Sequence, residues 1–286
     1  MKILKTKYRE PNITLREIGM AIRIIFLIKN WWVYFSDFLG KYKSDGQIYF
    51  LLRNGRKLRI QPNSFDRNFF NEIWLNEQYN PRGFEIKPSD TVVDIGANNG
   101  MFSIYAGHKA KRGRVYAFEP EETNFNKLMR NIQINKMRNI IPDQKAVSDD
   151  DGIKDFFIFD SSLGGNSFFN EKIDEGKGIA RKSLVETVSF KNWMIENVHH
   201  IDFLKMDCEG AEYEILFSMG NLLKRISKMA LEVHNLDKER NMLKMITFLR
   251  DSGYCVKRRG SLLFAKRNNQ CPRKYLMQSW KKRVVS

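Results

Sequence analysis

Cysteine is scarce, with only Cys208, Cys255 and Cys271 in 286 residues and no C-x-x-C spacing. Neither a zinc site nor a disulfide framework is signalled, and a reducing compartment fits. No run of about 20 apolar residues is free of charge, which speaks against a membrane-spanning helix. Residues 1–5 lack the pattern of an apolar core followed by a small-residue cleavage site, so no secretory leader is expected. Acid is in deficit, 33 Asp plus Glu against 49 Lys plus Arg, and the net charge of +16 favours an anionic partner such as nucleic acid, phospholipid or a phosphate-bearing sugar. A lysine-rich proteome would give the same bias with no partner. Apolar residues are plentiful: 42% hydrophobic and 13% aromatic supply the core of one large domain, or of a domain with an appendage.

Glycine is missing where one cofactor fingerprint needs it. The stretch Thr91-Val-Val-Asp-Ile-Gly-Ala-Asn-Asn-Gly-Met101 reads as a buried parallel strand, a glycine-punctuated turn and a helix whose N-terminal N–H groups point at a ligand. A dinucleotide site would read G-x-G-x-x-G, but the middle position is Asn98 and the strand ends in Asp94. An acid there repels a pyrophosphate and suits the polar end of a cationic ligand such as S-adenosylmethionine. An ordinary strand-turn-helix joint is the plain alternative.

Ahead of this stretch, residues 1–84 read as an α+β extension. Residues 14–39 predict one helix with Ile18, Ile22, Ile25, Phe26, Ile28, Trp32 and Phe35 mostly on one side, interrupted by Arg23, Lys29 and Asp37. It either packs on the main domain, the usual fate of an aromatic stripe, or lies on an anionic membrane through Trp31, Trp32 and nearby lysines. Asn54-Gly55 between 47–52 and 56–60 predicts a β-hairpin. A helix follows from a cap in Asn63–Asp66 and ends at Asn80–Gly83. The extension either covers a sheet edge or walls a substrate cleft.

From Phe84 strands and helices alternate, implying a parallel sheet with helices on both faces. Strands are expected at 91–95, 114–119, 140–147, 201–207 and 228–234, with an added strand at 154–160, a return strand at 184–190 and a closing hairpin at 254–257 and 262–266. Pro142 places the third strand at an edge or makes it irregular. Residues 161–178 form a polar loop suited to substrate contacts or to disorder. In open α/β sheets ligands bind beyond the carboxyl ends of the strands, where Asp94, Glu119, Asp207, Glu209, Glu232 and His234 converge. Glu119 is placed to accept both ribose hydroxyls of a nucleoside, with a helix-capping glutamate as the alternative. Lys205 and Asp207, two apart on a strand, form a structural ion pair or an active-site pair. The basic tail, 267–286, is a solvated end or holds an acidic surface.

Val93-Asp-Ile-Gly-Ala-Asn-Asn-Gly100, Phe118-Glu-Pro-Glu121, Ala146-Val-Ser-Asp149, Val185-Glu-Thr-Val188 and Ile201-Asp-Phe-Leu-Lys-Met-Asp-Cys-Glu-Gly-Ala-Glu212, in this order and spacing, resemble the FkbM family of methyltransferases. The resemblance covers about 88–234, with 64–79 also similar. Cys208, where the family commonly has valine, and the basic ends depart from it. It implies a Rossmann-like seven-stranded methyltransferase sheet over residues 85–266, S-adenosylmethionine as donor, no required metal, and O-methylation of a hydroxyl on a sugar, glycan or natural product. It assigns Asp94, Gly96, Ala97, Asn98 and Gly100 to the methionine end of the donor and Glu119 to its ribose. Ala146 stands where many methyltransferases place an adenine-binding aspartate, leaving the base to backbone, Ser148 or Asp149.

The reaction is an in-line displacement at a sulfonium methyl, so positioning dominates and a general base assists. His234 is the first candidate base, because an imidazole pKa near 6.5 suits proton acceptance at neutral pH. Asp207 and Glu209 are alternatives as bases or acceptor holders, with Lys205 orienting Asp207, and His234 could instead be structural. A ribose 2′-O-methyltransferase acting on RNA is the rival that the charge supports. An Asn/Asp-Pro-Pro-aromatic element typical of amino-methylating enzymes is absent, Asp207-Cys-Glu-Gly210 standing there instead. A non-catalytic docking module of the same fold is a second rival. A cytoplasmic location is expected, with peripheral contact to anionic membrane through 14–39 and 266–286.

Overall fold

The computed structural model describes residues 15–43, 45–158 and 181–268. The expected loop at 161–178 and nearly all of the basic tail lie outside the described residues.

The extension begins with two helices where one was expected: α1, Leu15–Leu27, and α2, Trp31–Phe38. The break has a physical cause. Ile28 bridges Leu52, the Lys29 N–H donates to Leu51 O at 2.7 Å, and the Asn30 side chain both accepts from Leu51 N and donates to Tyr49 O. Backbone that closes the edge of a hairpin is unavailable for a helical ladder. That hairpin is β1, Ile48–Leu51, against β2, Lys57–Ile60, antiparallel as the Asn-Gly turn predicts. The outer edge of β2 is occupied by asparagine side chains: Lys57 N donates to Asn135 Oδ1 at 2.8 Å and Arg59 N to Asn131 Oδ1 at 2.9 Å. Helix α3, Asp66–Phe70, continues into a π-helical turn at Asn71–Leu75.

The predicted apolar stripe of the first helices is buried only in part. Ile28 of the stripe is buried and Phe35 packs against the core, beside Ile24 and Tyr34, whereas Ile18, Ile22, Ile25, Phe26, Trp31 and Trp32 are exposed. Apolar residues surround most of α1, so helical spacing alone could not select the inward face.

The main sheet is seven-stranded, as expected. Its elements are β3, Thr91–Ile95; α4, Met101–Lys109; β4, Arg114–Phe118; α5, Glu122–Asn135; and β5, Ile140–Asp143. After a second sheet come α6, Phe190–Asn197; β9, Ile201–Met206; α7, Glu212–Ser218; β10, Ile226–Glu232; α8, Met242–Asp251; and the hairpin of β11, Tyr254–Arg259, with β12, Leu262–Arg267. The strand order is β11-β12-β10-β9-β3-β4-β5. Strands β10, β9, β3, β4 and β5 run parallel, and β12 is antiparallel to β10 and β11. This is a doubly wound, Rossmann-like sheet, with its order reversing beside β3.

The expected third strand is two strands. Pro142 sits in β5, the sheet edge, where a missing donor is tolerated. The chain then leaves the sheet, and Ala146–Ser148 form β6 in a three-stranded sheet ordered β6-β8-β7, with β7 at Gly152–Ile158 and β8 at Arg181–Ser189. Cys255 is disulfide-bonded, contrary to the sequence expectation, and Cys208 is free.

Period-two alternation sorts the sheet's core onto two faces. Val92, Phe203, Ala230 and Phe264 join one cluster, which also contains Phe50, Phe70 and Trp74 of the extension; Val93, Leu204, Met229 and Leu231 join the other, with Trp193 and Met245. The extension therefore shares a continuous core with one face of the sheet.

Candidate active site

The turn after β3 is built around backbone that only certain residues tolerate. Gly96 has φ +75°, and a Cβ there would lie 1.9 Å from the Asp207 carbonyl oxygen. The end of β9 therefore touches the β3 turn, and no side chain larger than hydrogen fits between them. Asn98 is also left-handed, at φ +51°. Asparagine is among the residues that accept this region, and its Oδ1 accepts the Asn99 N–H at 2.7 Å. The position that breaks the dinucleotide pattern thus keeps glycine-like backbone without glycine.

Glu119 sits just beyond β4 and is buried. Its two oxygens accept the N–H groups of Asn98, at 2.8 Å, and Glu121, at 3.0 Å. Burial pushes its pKa up, backbone hydrogen bonds partly offset this, and the net value is about 7. A carboxylate so fixed retains lone pairs for further donors.

Asp94 is held between two partners. It is fully buried, Oδ2 accepts from Ser103 Oγ at 2.5 Å, and Oδ1 lies 3.3 Å from Lys205 Nζ in an ion pair whose angle is not that of a hydrogen bond. Lys205 is a buried hub: Nζ donates to Gly96 O at 2.7 Å, lies 3.8 Å from Asp207 Oδ2, and sits 5.7 Å from the Tyr79 ring centroid. Burial lowers its pKa, the charges of Asp94 and Asp207 raise it more, and the net shift is upward. Lys205 is consequently a fixed cation that ties the β3 turn to the end of β9.

On the far side of Asp207 the extension enters. The Tyr79 hydroxyl donates to Glu232 Oε2 at 3.0 Å and lies 3.5 Å from Asp207 Oδ2. Glu232 also accepts from Ser261 Oγ at 3.1 Å. Burial, then the charge of Asp207, raises the pKa of Glu232, and burial, then Glu232 and Asp207, raises that of Glu72. Three carboxylates therefore share one field, which at Glu232 is relieved by the Tyr79 and Ser261 hydrogen bonds and then by His234.

His234 lies two residues beyond β10, between two acids: Nδ1 is 3.1 Å from Glu212 Oε1 and Nε2 is 3.2 Å from Glu209 Oε2. Burial alone lowers its pKa, but the Glu212 hydrogen bond and the charges of Glu212, Glu209 and Asp207 raise it to about 9. At neutral pH it is an imidazolium, not the neutral acceptor that the sequence suggested, because the fully buried Glu212 requires a cation beside it. Glu209 holds its place with a left-handed backbone, φ +55°. Asp207, Glu209 and His234 each offer one atom within 4.8 Å of the others, close enough for a metal ion, although His234 already neutralises its neighbours.

Of the residues singled out in the sequence, Asp94, Gly96, Ala97, Asn98, Gly100 and Glu119 gather around the β3 turn, and Lys205, Asp207, Glu209, Glu232 and His234 line the adjoining strand ends. Ala146 is separate, buried in β6 and paired with Thr187 in the smaller sheet. Its neighbour Ser148 accepts from Lys154 Nζ at 2.6 Å and donates to Asp149 at 2.9 Å, so both alternatives for the base already have partners. Sequence reasoning missed Tyr79 and Glu72. The one available signal was the resemblance of 64–79, which carried no role. The extension also reaches the turn itself: Asp66 Oδ1 accepts from Asn99 Nδ2 at 2.9 Å, and Trp74 Nε1 donates to Met101 O at 3.2 Å.

A family model described as the methyltransferase FkbM domain matches residues 94–256. The chain is 26% identical over 228 residues to the 31-O-demethyl-FK506 methyltransferase FkbM of Streptomyces tacrolimicus, covering 68% of this chain and 84% of that one. It is 26% identical over 163 residues to the hexuronic acid methyltransferase AglP of Haloferax volcanii, covering 57% and 64%. Among solved structures, methyltransferase FkbM from Methylobacillus flagellatus KT aligns with a TM-score of 0.44 at 12% identity, covering 87% of this chain and 59% of that one.

Proposed function

The chain belongs to the FkbM methyltransferase family, and on that premise we propose that it transfers the methyl group of S-adenosylmethionine to a hydroxyl of a sugar, glycan or natural product. One observation carries the reading: Glu119, Lys205, Asp207, Glu232 and His234 converge beside a left-handed turn at the carboxyl ends of β3, β4, β9 and β10, where an open sheet binds its ligand. The donor fits the residues present. Glu119 has its geometry fixed by two N–H groups and keeps acceptor capacity for a ribose diol, and Gly96, where a Cβ would strike backbone, leaves the turn narrow enough to approach a ligand. Bound there, S-adenosylmethionine supplies an electrophilic methyl on a sulfonium centre. Its positive charge suits a carboxylate-rich site.

Asp207 is the proton acceptor in this reading. It is part-exposed, with Lys205 Nζ 3.8 Å away on one side and the Tyr79 hydroxyl 3.5 Å away on the other. His234 keeps Glu209 and Glu212 neutralised in place, and Glu232 with Tyr79 orients the acceptor. Glu72, Asp207, Glu209 and Glu232 would repel a phosphate backbone, which favours an acceptor hydroxyl without adjacent phosphate over RNA ribose. The test is incubation of the protein with methyl-labelled S-adenosylmethionine and cell fractions. Label in polysaccharide, lipid-linked glycan or small hydroxylated metabolites is expected. Label confined to RNA, or no label in any fraction, would overturn the reading.

A further inference from the structure

We propose that the outward faces of α1 and α2 form a docking surface for an anionic lipid bilayer. The inference is independent of the acceptor reading, because it rests on a part of the extension remote in sequence from every residue given a role above.

Helix α1 has two apolar faces. Ile24 and Ile28, four apart, are fully buried in the core shared with the sheet. Ile18, Ile22, Ile25 and Phe26 recur at i, i+4, i+7 and i+8, which is again one helix face, and all are exposed, Phe26 by 74%. Helix α2 repeats the arrangement: Tyr34 is buried in the same core, while Trp31, Trp32 and Phe38 are exposed, Trp32 by 56%. Because both helices turn their other faces into one core, their exposed faces both look away from it. Trp31 meets Trp32 and Phe35 edge to face, at centroid distances of 6.0 and 6.1 Å, so the aromatic group is ordered without being covered. Scattered exposed apolar residues need no explanation, but this many on one face each of two successive helices mark a contact surface.

The charges decide what the surface contacts. From Ile18 to Lys43 every exposed charged residue is basic: Arg23, Lys29, Lys41 and Lys43. The one acid in that span, Asp37, is buried in a 2.6 Å ion pair with Arg67. Arg53, also exposed, donates to Ile25 O and so adds a further cation beside α1. Apolar and tryptophan side chains bordered by lysine and arginine, with the first exposed acid after them at Asp45, beyond α2, match the lipid–water boundary of a negatively charged leaflet. No helix among the described residues is long and apolar enough to cross a membrane, so the contact is one of lying on the surface.

Co-sedimentation of the full chain with vesicles tests this. Binding is expected to vesicles of phosphatidylglycerol in phosphatidylcholine, not to phosphatidylcholine alone, with tryptophan emission shifting to the blue and the bound fraction falling as salt is raised. The double variant Phe26→Ser, Trp32→Ser should weaken binding at least about tenfold. Arg23→Glu with Lys29→Glu should do so by a similar factor. Both variants should bind S-adenosylmethionine as the parent does, which verifies folding. No sedimentation with anionic vesicles at low salt would overturn the proposal. So would a lipid-free dimer that the same substitutions dissociate, since a second copy of the chain would then be what covers the face.

Discussion

Around the β3 turn, polar groups are consumed by nearby backbone and buried partners: both Glu119 oxygens accept N–H groups, and Asp94 faces Ser103 and Lys205. Beyond Lys205 the balance changes. There burial and the charge of Asp207 raise the proton affinity of Glu72 and Glu232, and the hydroxyl that bridges Asp207 and Glu232 comes from the extension. The first region is closed mostly by contacts between neighbouring segments, with Lys205 the exception. The second is assembled from distant segments and holds charge in reserve, as suits a ligand that differs between relatives. Damage to the first should show in donor binding and damage to the second in turnover.

The largest expected effect joins the two regions. Gly96→Ala places a methyl group 1.9 Å from the Asp207 carbonyl at φ +75°, and should cost roughly 3 kcal/mol or more of stability along with donor binding. Thermal unfolding and calorimetric titration measure both, and a stable variant with parental donor affinity would dissolve the proposed contact between halves. Next, Asp207→Asn should reduce turnover about 100-fold or more while leaving donor affinity nearly intact. If donor affinity fell instead, the division of labour would be wrong.

A smaller effect is read from pH. The Glu119 pKa, raised to about 7, makes the folded free protein hold a proton that the unfolded chain has released. Its contribution to stability therefore falls as pH rises from about 4.5 to 7. A donor whose hydroxyls seek the carboxylate should offset this, so the thermal shift produced by S-adenosylmethionine should grow across the same window and should not do so in Glu119→Gln. His234 has the same sign over a higher window. Its pKa is raised to about 9, so its contribution is complete below about 6.5 and is lost as pH climbs through 9, a loss that His234→Gln should flatten. A rise of turnover with a midpoint near 9, abolished by the same variant, would instead return His234 to the role of base. The smallest effect is expected from Tyr79→Phe, a change of about threefold to tenfold in the acceptor KM with kcat and donor affinity little altered, reflecting the loss of one hydrogen bond to Glu232.

How much was legible follows the same division. The β3 turn could be read because strand, turn and helix chemistry lie within eleven consecutive residues, and Asn98 carried its own contradiction of the dinucleotide pattern. The convergence of Asp207, Glu209 and His234 was legible from one rule about open sheets. Tyr79 was not, since it meets Asp207 and Glu232 across separations of 128 and 153 residues, and nothing local marks such a contact. The protonation of His234 was hidden because it depends on Glu212 losing all contact with solvent. The inward face of α1 was hidden for a different reason: both faces are apolar, and periodicity reports amphipathicity without saying which side the core will claim.

The family match begins at residue 94, yet Asp66, Trp74 and Tyr79 reach the site from before it. A graft of the matched segment alone into another scaffold would therefore lose the Tyr79 hydroxyl from beside Asp207 and Glu232 and, with Asp66 and Trp74, two of the contacts that brace the β3 turn. What the family motif shares is thus held in shape by residues that the motif does not include.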